Sequence, residues 1–260
     1  MSDIMASGPT GHTIFALALA RIGRWGIFSA RAARLTVTAP PRAAWVIEEA
    51  FRIGVGSLFI VCAISFFIGS TIALQGYYAF REFGGEGLVG IFVTLACVRE
   101  MGPIVAGSMV AAKAGTAMAA SIAAMRVKGQ IDALEVMAVN PYRALVAPRL
   151  IAALIALPLL VVFADFFTVL AGYLVAVHQL GVNPGTFLEN VRSYTGMTDV
   201  LYGMVKGAFF AVMICTLSCY QGFYSEPGPE GVGRATNRAV VSVCVVCIIL
   251  NYILSEIMYG

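Results

Sequence analysis

Long apolar blocks broken by short charged stretches dominate this chain, and a helix needs about 20 predominantly apolar residues to cross a membrane. Ile53 to Phe80 is the clearest block, with no charge between Arg52 and Arg81. Leu88 to Met125 follows; it holds Arg99, Glu100 and Lys113 and is too long for one crossing unless part of it is a loop. A third block runs from about Leu150 to Val177 with one acid, Asp165, and a fourth from about Val200 to Tyr224 with Lys206 near its start. The charge-free stretch Ala239 to Ser255 makes a fifth. The pattern predicts an all-α membrane protein with five transmembrane helices.

The first 50 residues read differently. Ile14 to Ala20 is apolar, but Arg21, Arg24, Arg31 and Arg34 interrupt any span. On a helix these arginines fall within an arc of about 140°. Ile14, Phe15, Leu19, Ile22 and Trp25 lie opposite, with Leu17 and Phe28 spoiling the separation. The expectation is a cytoplasmic N-terminal arm, residues 1–50, built around an interfacial amphipathic helix. The basic residues follow the apolar run, which argues against a signal peptide. Pro40-Pro41 punctuates the approach to a five-helix transmembrane domain at 51–260.

Composition supports the membrane reading. Apolar residues make up 60% and charged residues 12%, against roughly 25% charged in soluble domains. A soluble enzyme, a disordered chain and a disulfide scaffold are excluded. Lys and Arg alternate along the soluble segments: six in residues 1–52, one in 81–87, four in 126–149, one in 178–199 and two in 226–238. By the positive-inside rule this places the N-terminus in the cytoplasm and the C-terminus outside. A net charge of +3 gives no global basic field for nucleic acid. The six cysteines all sit in apolar stretches, so Cys244-Val-Val-Cys247 reads as small apolar residues on a helix.

Candidate chemistry lies in the intramembrane charges, which are costly and usually face a bundle interior or a watery cavity. Arg99-Glu100-Met101-Gly102-Pro103 is either a polar site for a headgroup or gate, or a mutually paired structural couple. Lys113 among small residues lines a cavity or pairs with an acid such as Asp165, and Asp165 and Lys206 are read mainly as structural. The basic loop after the second block contains Gln130 to Met137, a helix closed by Asn140-Pro141. Ile131, Leu134 and Ala138 recur at helical spacing, with Asp132 and Glu135 on another side, as in a helix that docks on a protein partner. No phosphate-loop signature is present, the two histidines are too isolated for a metal site, and no nucleophile motif occurs.

The blocks Arg99-Glu100-Met101-Gly102-Pro103, Met125-Arg126-Val127, Gln130 to Met137, Asn140-Pro141, Pro148-Arg149 and Leu157-Pro158 resemble the MlaE-type (YrbE-type) permeases. Leu74-Gln75-Gly76-Tyr77 and the run Gly231 to Val241 extend the likeness over residues 45 to 260. The resemblance implies a homodimeric, non-enzymatic permease in the bacterial inner membrane, moving phospholipids or related lipids between that membrane and the outer envelope. It implies no cofactor in this chain, with ATP and Mg bound by a separate ABC ATPase. It also implies a periplasmic MCE-domain protein and a small STAS-like regulator on the ATPase. On this reading Arg99, Glu100 and Arg234 handle the headgroup or gate. Leu74, Tyr77 and Tyr78 line the lipid cavity, while Gln130, Ile131, Asp132, Leu134, Glu135 and Met137 couple to the ATPase (helix about 128–140). Three departures stand out: Lys128-Gly129-Gln130 replaces the usual Thr-Glu-Gln, Ser121 replaces a usual Glu, and Lys113 stands where Arg is common. An ion-coupled transporter relaying through Glu100, Lys113 and Asp165, and a non-transporting scaffold, are the competing readings.

Overall fold

The computed structural model describes residues 11–38 and 40–260. Helices α1 (Gly11–Thr38) and α2 (Ala43–Arg81) are followed by α3 (Glu86–Val127), a short α4 (Gln130–Val136) and α5 (Tyr142–Gln179). Then come α6 (Pro184–Tyr194), α7 (Met197–Phe223) and α8 (Pro229–Tyr259). Helices α2, α3, α5, α7 and α8 are long and apolar enough to span a membrane. The protein is an all-α membrane protein. One end of the bundle carries Arg42, Arg126, Arg143 and Arg234, and is called the basic end below.

The second block differs from expectation. No loop interrupts it; α3 is one helix of 42 residues, a path of about 63 Å at 1.5 Å per residue. It absorbs the excess through two π-helical turns, Cys97–Met101 and Ala111–Gly115. Such turns insert a residue and reorient the side chains around them, and here they coincide with Arg99-Glu100 and Lys113. Helix α6 was not anticipated. Asn183 caps it, its Oδ1 accepting from the amides of Gly185 (2.8 Å) and Thr186 (3.3 Å), with Pro184 at the first helical position.

Close backbone approach holds the spans together. A Cβ on Gly69 of α2 would sit 2.1 Å from the Thr168 carbonyl oxygen of α5, so only glycine fits there. On α7, a Cβ at Gly222 would come within 2.8 Å of the Ala119 carbonyl oxygen of α3.

Helix α1 docks at the basic end through Phe28, the residue that spoilt its amphipathic pattern. Phe28 is fully buried against Tyr142, Tyr220, Phe223 and Tyr224, with ring centroids 5.1 to 6.4 Å apart. It breaks the pattern because it is the anchor. Ile22 and Ile27 remain exposed. The positions expected for Ile14, Phe15, Leu19 and Arg21 lie outside the described side chains.

Helix α4 ends earlier than its sequence pattern suggested. Ala138 adopts φ +58°, and the amides of Ala138 and Val139 donate to the carbonyls of Glu135 (3.0 Å) and Leu134 (2.9 Å). This paired closure stops the helix before Asn140-Pro141. Gly129 at φ +68° makes the break between α3 and α4, a left-handed conformation that glycine adopts without strain.

Candidate functional site

A cluster of charges sits where α3, α7 and α8 meet. Lys206 on α7 is its centre and has no exposed surface. Its Nζ donates to the Arg99 carbonyl oxygen (2.6 Å) and to Ser255 Oγ (2.7 Å), and lies 3.5 Å from Glu100 Oε1. The other Glu100 oxygen accepts from Asn251 Nδ2 at 2.5 Å. Arg99 turns the opposite way. Its Nε donates to Asp199 Oδ1 at 2.9 Å, and its guanidinium lies over the Tyr259 ring, 4.6 Å from the centroid. Asp199 is itself fixed, because its second oxygen accepts from the Gly196 amide at the start of α7.

Arg99 and Glu100 therefore do not pair with each other. As neighbours on a helix they point about 100° apart, and each finds its own opposite charge. A buried ion needs such partners, since desolvation costs several kcal/mol. Both side chains remain about one-third exposed, at 36% and 35%, toward a cavity of about 540 Å³. Leu95, Ile104, Ile248 and Tyr252 supply its apolar wall, and Asn251, Ser255, Tyr259 and a second carboxylate, Glu256, its polar side. A fixed guanidinium beside an apolar wall suits an amphiphile with an anionic head.

Arg234 does not join this cluster. It lies 17 residues before Asn251 on the same helix, about 25 Å along the axis. There it is held by Glu226 Oε2 (2.6 Å) and Glu230 Oε2 (3.2 Å). Leu74, Tyr77 and Tyr78 do not line the cavity either. Tyr77 is buried in a separate apolar cluster with Ala73, Val89 and Phe187, whereas Leu74 and Tyr78 face outward. A second groove of about 610 Å³, with an entirely apolar surface, runs between α5 and α6 past Val162, Phe166, Val169 and Leu188.

Lys113 and Asp165 do not meet. Lys113 Nζ donates to the Gly56 carbonyl oxygen of α2. Asp165 is buried where its carboxylate packs on the bare Cα of Gly102, and neither oxygen has a hydrogen-bond partner among the described residues. At the basic end, buried Arg149 bonds Glu49 Oε1 (3.3 Å) and Ser121 Oγ (3.1 Å). Glu49 of α2 supplies the carboxylate and Ser121 a neutral acceptor.

The helix α4 face also needs correction. Ile131 is buried in the protein's own core, and Leu134 lines a groove with Trp45, Met125 and Pro148. The freely presented apolar residues are Val136 (89% exposed) and Met137, flanked by Asp132 and Glu135. Gln130 opens the helix, and Asp132 Oδ1 accepts from Arg126 at 2.5 Å, tying α4 back to the end of α3. Sequence reasoning missed Asp199, Asn251, Ser255, Tyr259 and Glu49. An asparagine inside the charge-free fifth block was the one visible signal, since a lone amide in lipid asks for a partner.

With this arrangement in view, comparison with known proteins is informative. The family model described as Permease MlaE matches residues 46–257. The chain belongs to the MlaE permease family. It is 40% identical over 238 residues to a probable ABC transporter permease protein of Rickettsia conorii, covering 92% of both chains. It is 35% identical over 216 residues to the intermembrane phospholipid transport system permease protein MlaE of Haemophilus influenzae, covering 83% of both. A probable ABC transporter permease protein of Synechocystis is 31% identical, covering 82% of this chain and 81% of its own. The matched region contains the middle three spans whole, all but the outermost residues of the first and fifth, and every member of the charged cluster except Tyr259.

Proposed function

We propose that this protein is the permease of an ABC system that moves phospholipids between the bacterial inner membrane and the outer envelope. The observation that carries the reading is the 540 Å³ cavity, where Arg99, held by Asp199 and Tyr259, stands beside an apolar wall. Arg99 would hold a lipid phosphate. Glu100 and Lys206, bonded to each other and to α8, would respond when that phosphate arrives. The relatives' names and the family membership support ABC coupling over an ion relay, and Lys113 stands apart from Glu100 and Asp165. The N-terminus and the basic end are read as cytoplasmic from the Lys and Arg distribution. Val136 and Met137 would meet the ATPase, which binds ATP and Mg. A second copy of this chain, an MCE-domain protein on the opposite side and a STAS-like regulator complete the assembly.

Reconstitution tests this. The complex with its ATPase is placed in liposomes, and fluorescent phospholipid transfer is measured for wild type and for Arg99→Gln with Asp199→Asn. Removing both charges leaves no orphan, so folding is retained while transfer falls by at least tenfold, the loss of one charge-assisted contact. Wild-type transfer in that double variant refutes the headgroup role.

A further inference from the structure

A second polar cavity, of about 430 Å³, opens at the basic end, far from the charged cluster. Three segments converge on it: Pro41, Arg42 and Trp45 at the start of α2, Ala138 to Asn140 after α4, and Arg143 and Ala144 at the start of α5. Among the described residues no carboxylate lines it. Neither Arg42 nor Arg143 has an ion-pair partner among the described residues, although both are exposed. The acids of the adjoining groove are already engaged, Glu48 with Arg52 and Glu49 with Arg149 and Arg52. Arg42 stacks on Trp45, its guanidinium 5.6 Å from the ring centroid. Asn140 Oδ1 accepts from the Tyr142 amide, which leaves its amide group as a donor. Helix α2 begins here without a side-chain cap, adding the partial positive charge of a 39-residue helix.

Every polar feature of this cavity favours an anion, and Trp45 supplies an aromatic surface of the kind that settles at a membrane–water interface. We propose that the cavity binds the phosphodiester of an anionic phospholipid from the surrounding leaflet, with Arg42 and Arg143 gripping the phosphate and Trp45 packing at the glycerol level. The site is separate from the cavity around Arg99 and stands or falls independently of the transport reading. A basic pocket at the entry of two spans would seat the segment that leaves α4 against lipid, because Ala138 to Asn140 form one of its walls.

The chain has two tryptophans, so Trp25→Phe in the full-length protein leaves Trp45 as the reporter. The protein is placed in phosphatidylcholine nanodiscs containing rising fractions of phosphatidylglycerol spin-labelled near the headgroup. Phosphatidylcholine with the same label is the comparison. Quenching of Trp45 by phosphatidylglycerol is expected to half-saturate at a lower mole fraction, by roughly fivefold for each arginine engaged. Arg42→Gln with Arg143→Gln is expected to merge the two curves, while Arg24→Gln with Arg34→Gln leaves them apart. Equal loss in both pairs of variants would mean diffuse surface charge and overturn the site. Displacement of the labelled lipid by millimolar inorganic phosphate would assign the cavity to a soluble anion and overturn the lipid. If Arg42→Gln with Arg143→Gln instead abolishes ATPase association and leaves the curves apart, the arginines serve a protein contact and the proposal is wrong.

Discussion

Replacing Lys206 on α7 by Met removes the cation that pairs with Glu100 among the described residues while keeping most of the side-chain volume. The Met side chain cannot donate, so the Arg99 carbonyl and Ser255 Oγ each lose a short contact, and Glu100 loses its counter-ion. Breaking a buried ion pair by deleting one member costs about 3–5 kcal/mol. Glu100 is one-third exposed and keeps its bond from Asn251, which places the loss near the lower bound, about 3 kcal/mol. Adding Glu100→Gln removes the stranded charge and leaves mainly the lost hydrogen bonds, about 1 kcal/mol. The double variant should therefore be more stable than Lys206→Met alone by about 2 kcal/mol, and the non-additivity of the cycle exceeds that figure, because Glu100→Gln alone strands fully buried Lys206. Thermal or denaturant unfolding of the purified chain at one detergent concentration measures all corners of the cycle. A loss below about 1 kcal/mol for Lys206→Met, or additive single effects, would refute the account of Lys206 as the keystone of the cluster.

Gly102→Ala drives a methyl group to 1.7 Å from Asp165 Oδ1; overpacking of a closed site costs typically 1–3 kcal/mol, and Asp165→Ala in the same chain should recover part of it in an unfolding assay. Glu49→Gln strands buried Arg149 and should lower stability by about 3 kcal/mol. Ser121→Glu, which returns a carboxylate to Arg149 from the other side, should rescue it, and no rescue would show that Arg149 does not depend on a nearby carboxylate. Val136→Glu changes a residue with almost no contact to its own chain, so folding should be unaffected while co-purification with the ATPase is lost; intact co-purification would remove α4 from the coupling interface.

The spans were legible because lipid imposes one rule on every residue facing it, and the apolar blocks record that rule directly. The family motifs likewise marked Arg99 and Glu100. Their partners were not legible. Asp199 reads as an ordinary helix-start acid, and nothing local says that its free oxygen meets an arginine 100 residues away. Ile131 and Leu134 had the periodicity of a docking face, but periodicity cannot distinguish a foreign partner from the protein's own core, and here the core took Ile131 while Leu134 lines a groove. Phe28 is the converse case, a pattern-breaking residue explained only by the aromatic pocket that receives it. Helix α6 was hidden by its polar composition, although Asn183-Pro184 followed by Phe187 and Val191 is a legible helix start.

The glycine contacts divide the five spans into fixed and releasable parts. Helices α2 and α5 touch backbone to backbone at Gly69, and α3 and α7 do so at Gly222; such joints have no intermediate position, because any sliding is a clash. Helix α8 has no comparable joint. A Cβ on its Gly231 would meet only the preceding loop, and Gly233 faces open space. What ties the far half of α8 to the cavity is Asn251 on Glu100 and Ser255 on Lys206, bonds that a phosphate or a water molecule can replace one at a time. The paired helices thus form a frame, and α8 lies against it through side chains alone, apolar at Val243, Cys247 and Leu254 and exchangeable at Asn251 and Ser255. A ligand that competed for Glu100 and Lys206 would remove those two bonds without touching the frame, and would leave α8 held by buried Leu254 and by Tyr259 against Tyr202.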